Sequence, residues 1–311
     1  MSLQDDPVDT IPVTRALRRS RGRWRIFAFV VLAVAALVGF ARFYPLMAPV
    51  GDVIARVTIS GTITTDPERT ALLEDLAEDD SVSAVIVAIN SPGGTTAGGE
   101  ELYASLRALA EQKPVVSTIG ELGASAAYMA AIATDRIYAR NLSIVGSIGV
   151  YYQHVDASGL FETLGVDLDK VASGPLKGKP DFDEPISPQV RDSLVELVDS
   201  SYRYFVDLVA ERRGLTRSDT LALADGRILS GVMAIDAGLI DAAGGETEAL
   251  AWLQTEREID PDLDIVPVWP RQRAPGWLDL LFGSLAGAFG ETGWPGLPLD
   301  GLVSLWHPQA R

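Results

Sequence analysis

The sequence predicts a layered α/β domain preceded by one N-terminal transmembrane helix. Three observations carry this. Residues Ile26 to Ala41 are free of charge and follow a cluster of arginines. Val82–Ile89 is a nearly unbroken apolar run, the pattern of a strand covered on both faces. Strand-like and helix-like segments then alternate along the chain, as in layered α/β architectures.

The N-terminal run comes first. Six arginines, Arg15, Arg18, Arg19, Arg21, Arg23 and Arg25, stand before it. As a helix the run spans about 24 Å against a bilayer core of about 30 Å. Trp24 before it, and Phe43 and Tyr44 after it, extend it as interfacial aromatics. Ala41-Arg42-Phe43-Tyr44-Pro45 is a poor signal-peptidase site, so an uncleaved anchor is expected. The positive-inside rule places the arginines in the cytoplasm and the rest of the chain across the membrane.

Beyond the anchor, Val53–Ile63 is β-branched and interrupted at Gly61, which predicts strand, turn, strand. Asp66–Asp79 has helical spacing in Leu72, Leu73 and Leu76. The Val82–Ile89 strand should end in a turn at Asn90-Ser91-Pro92-Gly93-Gly94. A helix over Ala97–Glu111, a strand over Pro114–Ile119, a Gly-rich turn and an apolar helix over Ala126–Ala133 follow. Short strands are expected at Arg136–Ala139, Val145–Val150 and Asp167–Ala172, with a helix at Leu160–Leu164. Pro188–Arg213 is the longest helical pattern, capped by Ser187 and stopped by Gly214. The tail from Pro267 holds Trp269, Trp277, Trp294 and Trp306. Its apolar stretch Trp277–Phe289 reads as a helix, docked on protein or lying on a membrane surface.

Composition excludes several chemistries. Among 311 residues there is no cysteine, so disulfides, cysteine nucleophiles and cysteine-ligated metals are ruled out. The two histidines, His154 and His307, make a multi-histidine metal site improbable, and no cofactor motif occurs. The net charge of −16 argues against a nucleic-acid partner. It is unevenly placed: residues 1–43 carry seven arginines and three aspartates, so the remainder carries −20.

Two turns could feed backbone amides into a reaction site, one at Gly93-Gly94 and one at Gly123-Ala124-Ser125-Ala126-Ala127. A serine at a strand-to-helix turn suits a nucleophile whose product is an oxyanion; it is equally a plain helix cap. Such a serine needs a base. His154 and His307 lie in unpromising contexts, which leaves a lysine kept neutral by burial. Of the four lysines, Lys113 and Lys170 look solvated. Lys177 and Lys179 lie in the loop Ser173-Gly174-Pro175-Leu176-Lys177-Gly178-Lys179-Pro180.

Several segments in order resemble the signal peptide peptidase A family of membrane-bound Ser/Lys-dyad proteases. They are Asn90-Ser91-Pro92-Gly93-Gly94, Gly123-Ala124-Ser125 followed by Tyr128, Gly146-Ser147-Ile148-Gly149-Val150, Ser173-Gly174 followed by Lys177, and Ala224-Asp225-Gly226-Arg227 leading to Ala237-Gly238-Leu239-Ile240-Asp241. The resemblance covers about Val53–Leu250. It implies a Clp protease/crotonase-like layered domain of repeated ββα units. It also implies Ser125 as nucleophile, Lys177 as general base and Ser147 as the residue positioning that lysine. The backbone amides of Gly94 and Ala126 would form the oxyanion hole. No metal or cofactor is implied. One departure stands out: the family commonly has Ser-Gly-Gly-Tyr, whereas this chain has Ser125-Ala126-Ala127-Tyr128, and the added methyls are expected to narrow the cleft.

The resulting expectation is a cytoplasmic basic segment at 1–25, an anchor at 26–44, a protease domain at 52–256 and a Trp-rich extension at 257–311. Function follows the resemblance: degradation of signal peptides and other apolar peptides at a bacterial-type inner membrane, with the catalytic domain periplasmic. A homo-oligomeric ring is implied, in which neighbouring subunits supply the serine and lysine of one site. The alternatives are a catalytically silent scaffold or peptide-binding module of this fold, and a crotonase-type acyl-CoA enzyme. The second would need a cytoplasmic site, against the arginine cluster.

Overall fold

A computed structural model describes residues 27–34, 52–270 and the backbone of 303–305. The chain divides into two compact units, Met1–Gly51 and Asp52–Arg311. In the first, residues 27–34 are helical and exposed; the rest of the expected anchor lies outside the described residues. No described helix is long and apolar enough to cross a membrane. The Trp277–Phe289 stretch also lies outside the described residues.

The second unit is built on one nine-stranded, mostly parallel sheet. Strand β1 (Val53–Ile63) is followed by helix α1 (Pro67–Glu78), β2 (Val82–Thr95) by α2 (Thr96–Ala110), and β3 (Val115–Ala124) by α3 (Ala126–Ile132). Then come β4 (Arg136–Ala139), β5 (Ile144–Gly146), α4 (Ser158–Leu164) and α5 (Pro188–Arg213). The chain continues through α6 (Arg217–Leu223), β6 (Ile228–Ser230), α7 (Gly231–Asp236), β7 (Ala242–Ala243), α8 (Glu246–Glu256), β8 (Ile265–Trp269) and β9 (Val303–Leu305). The main path runs β6-β5-β3-β2-β1-β8.

Several strand expectations change: the Val145–Val150 segment is strand only at Ile144–Gly146, and the Gly-rich turn expected after Ile119 is strand as far as Ala124. Val53–Ile63 is one strand rather than two, and Gly61 (φ 67°) takes up a register shift between Ser60 and Thr62. The Asn90–Gly94 segment is not a turn that ends β2. The strand runs on to Thr95, after its own register shift between Ile89 and Ser91. β1, β2 and β3 are each followed by a helix, α1, α2 and α3. The expected strand at Asp167–Ala172 is absent, because those residues are exposed and no neighbouring strand pairs with them.

The sheet is buried on both faces, which explains the unbroken apolar run in β2. Ala55, Val57, Ile59, Val85, Val87 and Ile89 face one cluster with α1, α2, α3 and α5. The alternate residues Ile54, Ala84 and Ile86 face Ala249, Trp252 and Leu253 of α8. Caps fix the helix starts: Asp66 accepts from the Glu68 and Arg69 amides, and Ser187 from the Val190 amide. A cap of this kind stabilises by about 1 kcal/mol.

The upper half of the sheet forks. The lower part of β3 pairs with β4 (Val116 to Ile119 against Arg136 to Ala139), and its end, Leu122–Ala124, pairs with β5. β2 follows β3 only as far as Ser91, opposite Gly123. Past that point β3 turns toward β5 while Gly93–Thr95 of β2 continues with β1 and β9.

Candidate active site

Ser125 stands where β3 passes into α3. Its backbone is at φ 58°, ψ −121°, a conformation rare outside glycine, which costs about 1–3 kcal/mol. The surrounding structure holds it there. The Ser125 amide donates to the Gly146 carbonyl at 2.8 Å, and its own carbonyl accepts from the Met129 amide at 2.9 Å. Its side chain does not cap α3, so the plain-cap reading fails.

Ser147 is the second strained residue, at φ 52°. Because Ala124 pairs with Gly146, the β3–β5 ladder brings the Ser125 and Ser147 backbones together at one end of the fork. The Ser147 amide donates to Arg227 O at 2.8 Å, and the Gly226 amide donates to Ile148 O. The Asp225–Arg227 turn is itself braced by the Arg227 guanidinium, which forks onto the Asp225 carboxylate. That contact lowers the Asp225 carboxyl to about 2, so the pair stays ionised at neutral pH. The Asp225-Gly226-Arg227 mark therefore acts as a backbone support for Ser147.

Gly94 lies in β2 opposite Ile63, and a Cβ there would fall 1.7 Å from the Ile63 carbonyl oxygen. Only glycine permits this approach. Ser91, which sequence reasoning passed over, ties this corner together. Its buried hydroxyl donates to Gly61 O at 2.6 Å and accepts from the Gly93 amide at 3.1 Å.

Ala126 and Ala127 overturn one expectation. Both are completely buried in the main core cluster, so their methyls do not line a cleft. A Cβ on Gly99 of α2 would sit 2.9 Å from the Ala126 methyl, so a small residue at 99 accommodates a larger one at 126. The double variant Ala126→Gly/Ala127→Gly is expected to lower stability by roughly 2 kcal/mol through lost packing and helix propensity. A melting curve at or above the parental one would show that the two methyls do not pack in the core.

Tyr128 is fully buried and donates its hydroxyl to Leu239 O at 2.7 Å; burial pushes its ionisation far up, so it acts as a neutral donor. The following Asp241 accepts from the Ile137 amide at 2.7 Å and pairs with Arg213. The Ala237–Asp241 mark is thus a clamp on α3 and β4. Tyr128→Phe leaves Leu239 O buried without this donor and should cost about 1–3 kcal/mol, read as a lower melting temperature. At the other end of α3, Arg107 donates to Ala133 O at 2.8 Å, and Arg212 to Ile132 O at 2.8 Å and Thr134 O at 3.2 Å. Basic groups near these terminal carbonyls suit a helix end.

The lysines differ in their partners. Lys113 donates to Asp79 O and Val82 O, Lys170 pairs with Asp181 and Lys179 with Glu184. The hydrogen bond that Lys170 donates to Asp181 raises its pKa, which keeps it protonated. Among the described residues, Lys177 alone of the four has no side-chain partner. It is exposed, in a turn whose hydrogen bonds are local: its amide donates to Gly174 O at 3.2 Å. Not one of residues 151–187 is buried. This arm nevertheless exposes Val155, Leu160, Leu164, Leu168, Val171 and Phe182. Its own chain therefore does not give Lys177 the burial expected of a neutral base. His154 is engaged with Glu184 O at 3.3 Å, and His307 lies outside the described residues. Among the described residues no group of acidic or histidine side chains could hold a metal.

Comparison with known proteins decides the family. The model of peptidase family S49 matches residues 107–260. A putative protease of Synechocystis is 36% identical over 211 residues, which cover 67% of this chain and 76% of that protein. The chain belongs to peptidase family S49. A putative signal peptide peptidase SppA of Enterococcus faecium is 32% identical over 60% of the chain and 55% of its own length. Protease 4 of Haemophilus influenzae is 30% identical over 63% of the chain but only 34% of its own length. The S49 chain is thus a member of the signal peptide peptidase A family of serine proteases. Its matched segment includes Ser125, Ser147 and Lys177; Gly94 lies before it.

Proposed function

We propose that this S49 chain is a membrane-anchored serine endopeptidase that degrades signal peptides and other apolar peptides. Ser125 attacks the peptide carbonyl, with Lys177 accepting its proton and Ser147 positioning that lysine. The amides of Gly94 and Ala126 hold the tetrahedral oxyanion. Lysinium then protonates the leaving amine, and water releases the acyl-enzyme.

The observation that carries this reading is the pair of strained serines, Ser125 and Ser147, locked together at the fork of the sheet. Strain held in place by surrounding hydrogen bonds is characteristic of working sites. The exposed arm supports a further element. A segment with no buried residue that exposes large apolar side chains and carries a lysine without a partner suits packing against a neighbouring subunit. In a ring, that neighbour would receive Lys177 into its Ser125 site. The arginine-flanked apolar run supports a periplasmic domain tethered at the inner membrane.

The test is direct. Full-length protein in detergent or lipid is incubated with synthetic signal peptides, and products are mapped by mass. Internal cleavage that disappears in Ser125→Ala is expected. Intact peptide, or cleavage that persists in the variant, would refute the proposal.

A further inference from the structure

Gly61 of β1 opposes two residues of β2 at once. The register steps from Ser60 opposite Asn90 to Thr62 opposite Gly93, so Ser91 and Pro92 share the one β1 residue in between. Such a bulge leaves backbone groups without their ladder partners, and Pro92 has no N–H to offer. The Ser91 side chain takes the place of that amide. It is fully buried, and its hydroxyl donates to Gly61 O at 2.6 Å while accepting from the Gly93 amide at 3.1 Å. One oxygen thus joins the bulge of β1 to the residue before Gly94. Gly93 itself, at φ 103°, has a backbone that glycine alone adopts readily, with no side chain to restrain it.

We propose that Ser91 is a positioning residue for catalysis: its hydroxyl fixes the Gly93–Gly94 peptide so that the Gly94 amide is already aimed at the oxyanion. This rests on the reading that Gly94 belongs to the oxyanion hole. An amide stabilises a developing oxyanion best when its direction is set before the reaction begins. Two contacts set it here. Ser91 holds the Gly93 amide on one side, and the approach of Gly94 to Ile63 O, which leaves no room for a Cβ, holds the other. Gly61 completes the chain, because its left-handed backbone (φ 67°) presents the carbonyl oxygen to Ser91. A serine acting only as a staple of the sheet would support stability and leave the chemical step untouched.

The test compares full-length Ser91→Ala with Ser117→Ala. Ser117 is another fully buried sheet hydroxyl, on the lower part of β3, and accepts from the Thr134 hydroxyl at 3.0 Å. Both variants should lower the melting temperature. Ser91→Ala should also lower kcat on a synthetic signal peptide by about 10- to 100-fold, with KM within about twofold of the parent. It should weaken a peptide aldehyde by the same factor, since the aldehyde oxygen enters the hole once Ser125 Oγ adds to its carbon. Ser117→Ala should change neither, and Ser91→Thr, which keeps the hydroxyl, should recover most of kcat. Gly61 offers a second route, because a Cβ there meets no atom within 4 Å. Gly61→Val excludes the left-handed backbone and should reproduce the kcat loss, whereas Gly61→Asn tolerates it and should not. Ser91→Ala/Gly61→Val should lose no more than the larger single loss. A kcat loss in Ser91→Ala no greater than in Ser117→Ala, a loss carried by KM, or parental kcat in Gly61→Val would each overturn the proposal; if Ser91→Ala does not fold, the two Gly61 variants decide it. A parent that neither cleaves through Ser125 nor binds the aldehyde would refute the catalytic reading instead, and the proposal with it.

Discussion

Ser125→Ala is expected to cut peptide turnover by about 10³-fold or more, equivalent to at least about 4 kcal/mol at the transition state. Lys177→Ala should do the same, since a dyad acts as a unit. The fold should survive both changes. Lys177 is exposed, and the Ser125 backbone is held by hydrogen bonds of main-chain groups that alanine retains. Alanine keeps the strain at φ 58°, whereas Ser125→Gly relieves it. The glycine variant should therefore be inactive yet more stable than the alanine variant by about 1 kcal/mol. Mixing gives the sharper result. If the lysine of one subunit serves the serine of the next, equimolar mixed rings of Ser125→Ala and Lys177→Ala chains regain about a quarter of parental activity, the share of neighbour pairs that combine an intact serine with an intact lysine. No recovery in verified mixed rings would assign both groups to a single chain.

Gly94→Ala is expected to be the most damaging single methyl in the domain. The added carbon would lie 1.7 Å from Ile63 O, 2.5 Å from its carbonyl carbon and 2.6 Å from its nitrogen, all backbone atoms. No side-chain rotation can relieve that overlap. β1 and β2 would have to separate at Ile63 and Gly94, in the middle of the sheet. A cost above about 4 kcal/mol follows, which for a domain of this size lowers the melting temperature by about 10 °C or more. The variant should also lose peptidase activity in whatever fraction stays folded, because the amide proposed for the oxyanion hole moves with the strand. A variant with the parental melting curve would show that the two strands do not approach so closely.

The sequence displayed its helices well and its strands unevenly. Pro188–Arg213 was legible to the residue because proline, a serine cap and a terminal glycine all mark it. Asn90-Ser91-Pro92-Gly93-Gly94 looked like a turn because proline and glycine punctuate turns. It is strand because β1 and β9 pair with Gly93 and Gly94, a tertiary effect that no local pattern carries. Asp167–Ala172 erred in the opposite sense: its alternation suits a strand, but no partner strand supplies hydrogen bonds. Ser125, Ser147, Lys177 and Gly94 were nominated by their motifs; the structure brings Ser125 and Ser147 together at the fork and leaves Lys177 exposed in the 151–187 arm. The direction of the Ala126 and Ala127 methyls was not legible, since it depends on Gly99 in another helix. Tyr128 and Asp241 were visible as marks without a role until the Leu239 and Ile137 contacts linked them.

The contrast between α3 and the 151–187 arm has a consequence for control of the proposed enzyme. The helix after Ser125 is entirely buried and held from both ends, whereas the arm that carries Lys177 buries nothing. In the proposed ring, folding alone would deliver the serine and association would deliver the lysine. A dilute chain would be fully folded and silent, and its specific activity would rise with its own concentration as subunits meet. If the proposed ring and anchor hold, such a protease would be kept harmless during synthesis and export by scarcity of neighbours, and would become dangerous to peptides only once enough copies share one patch of membrane.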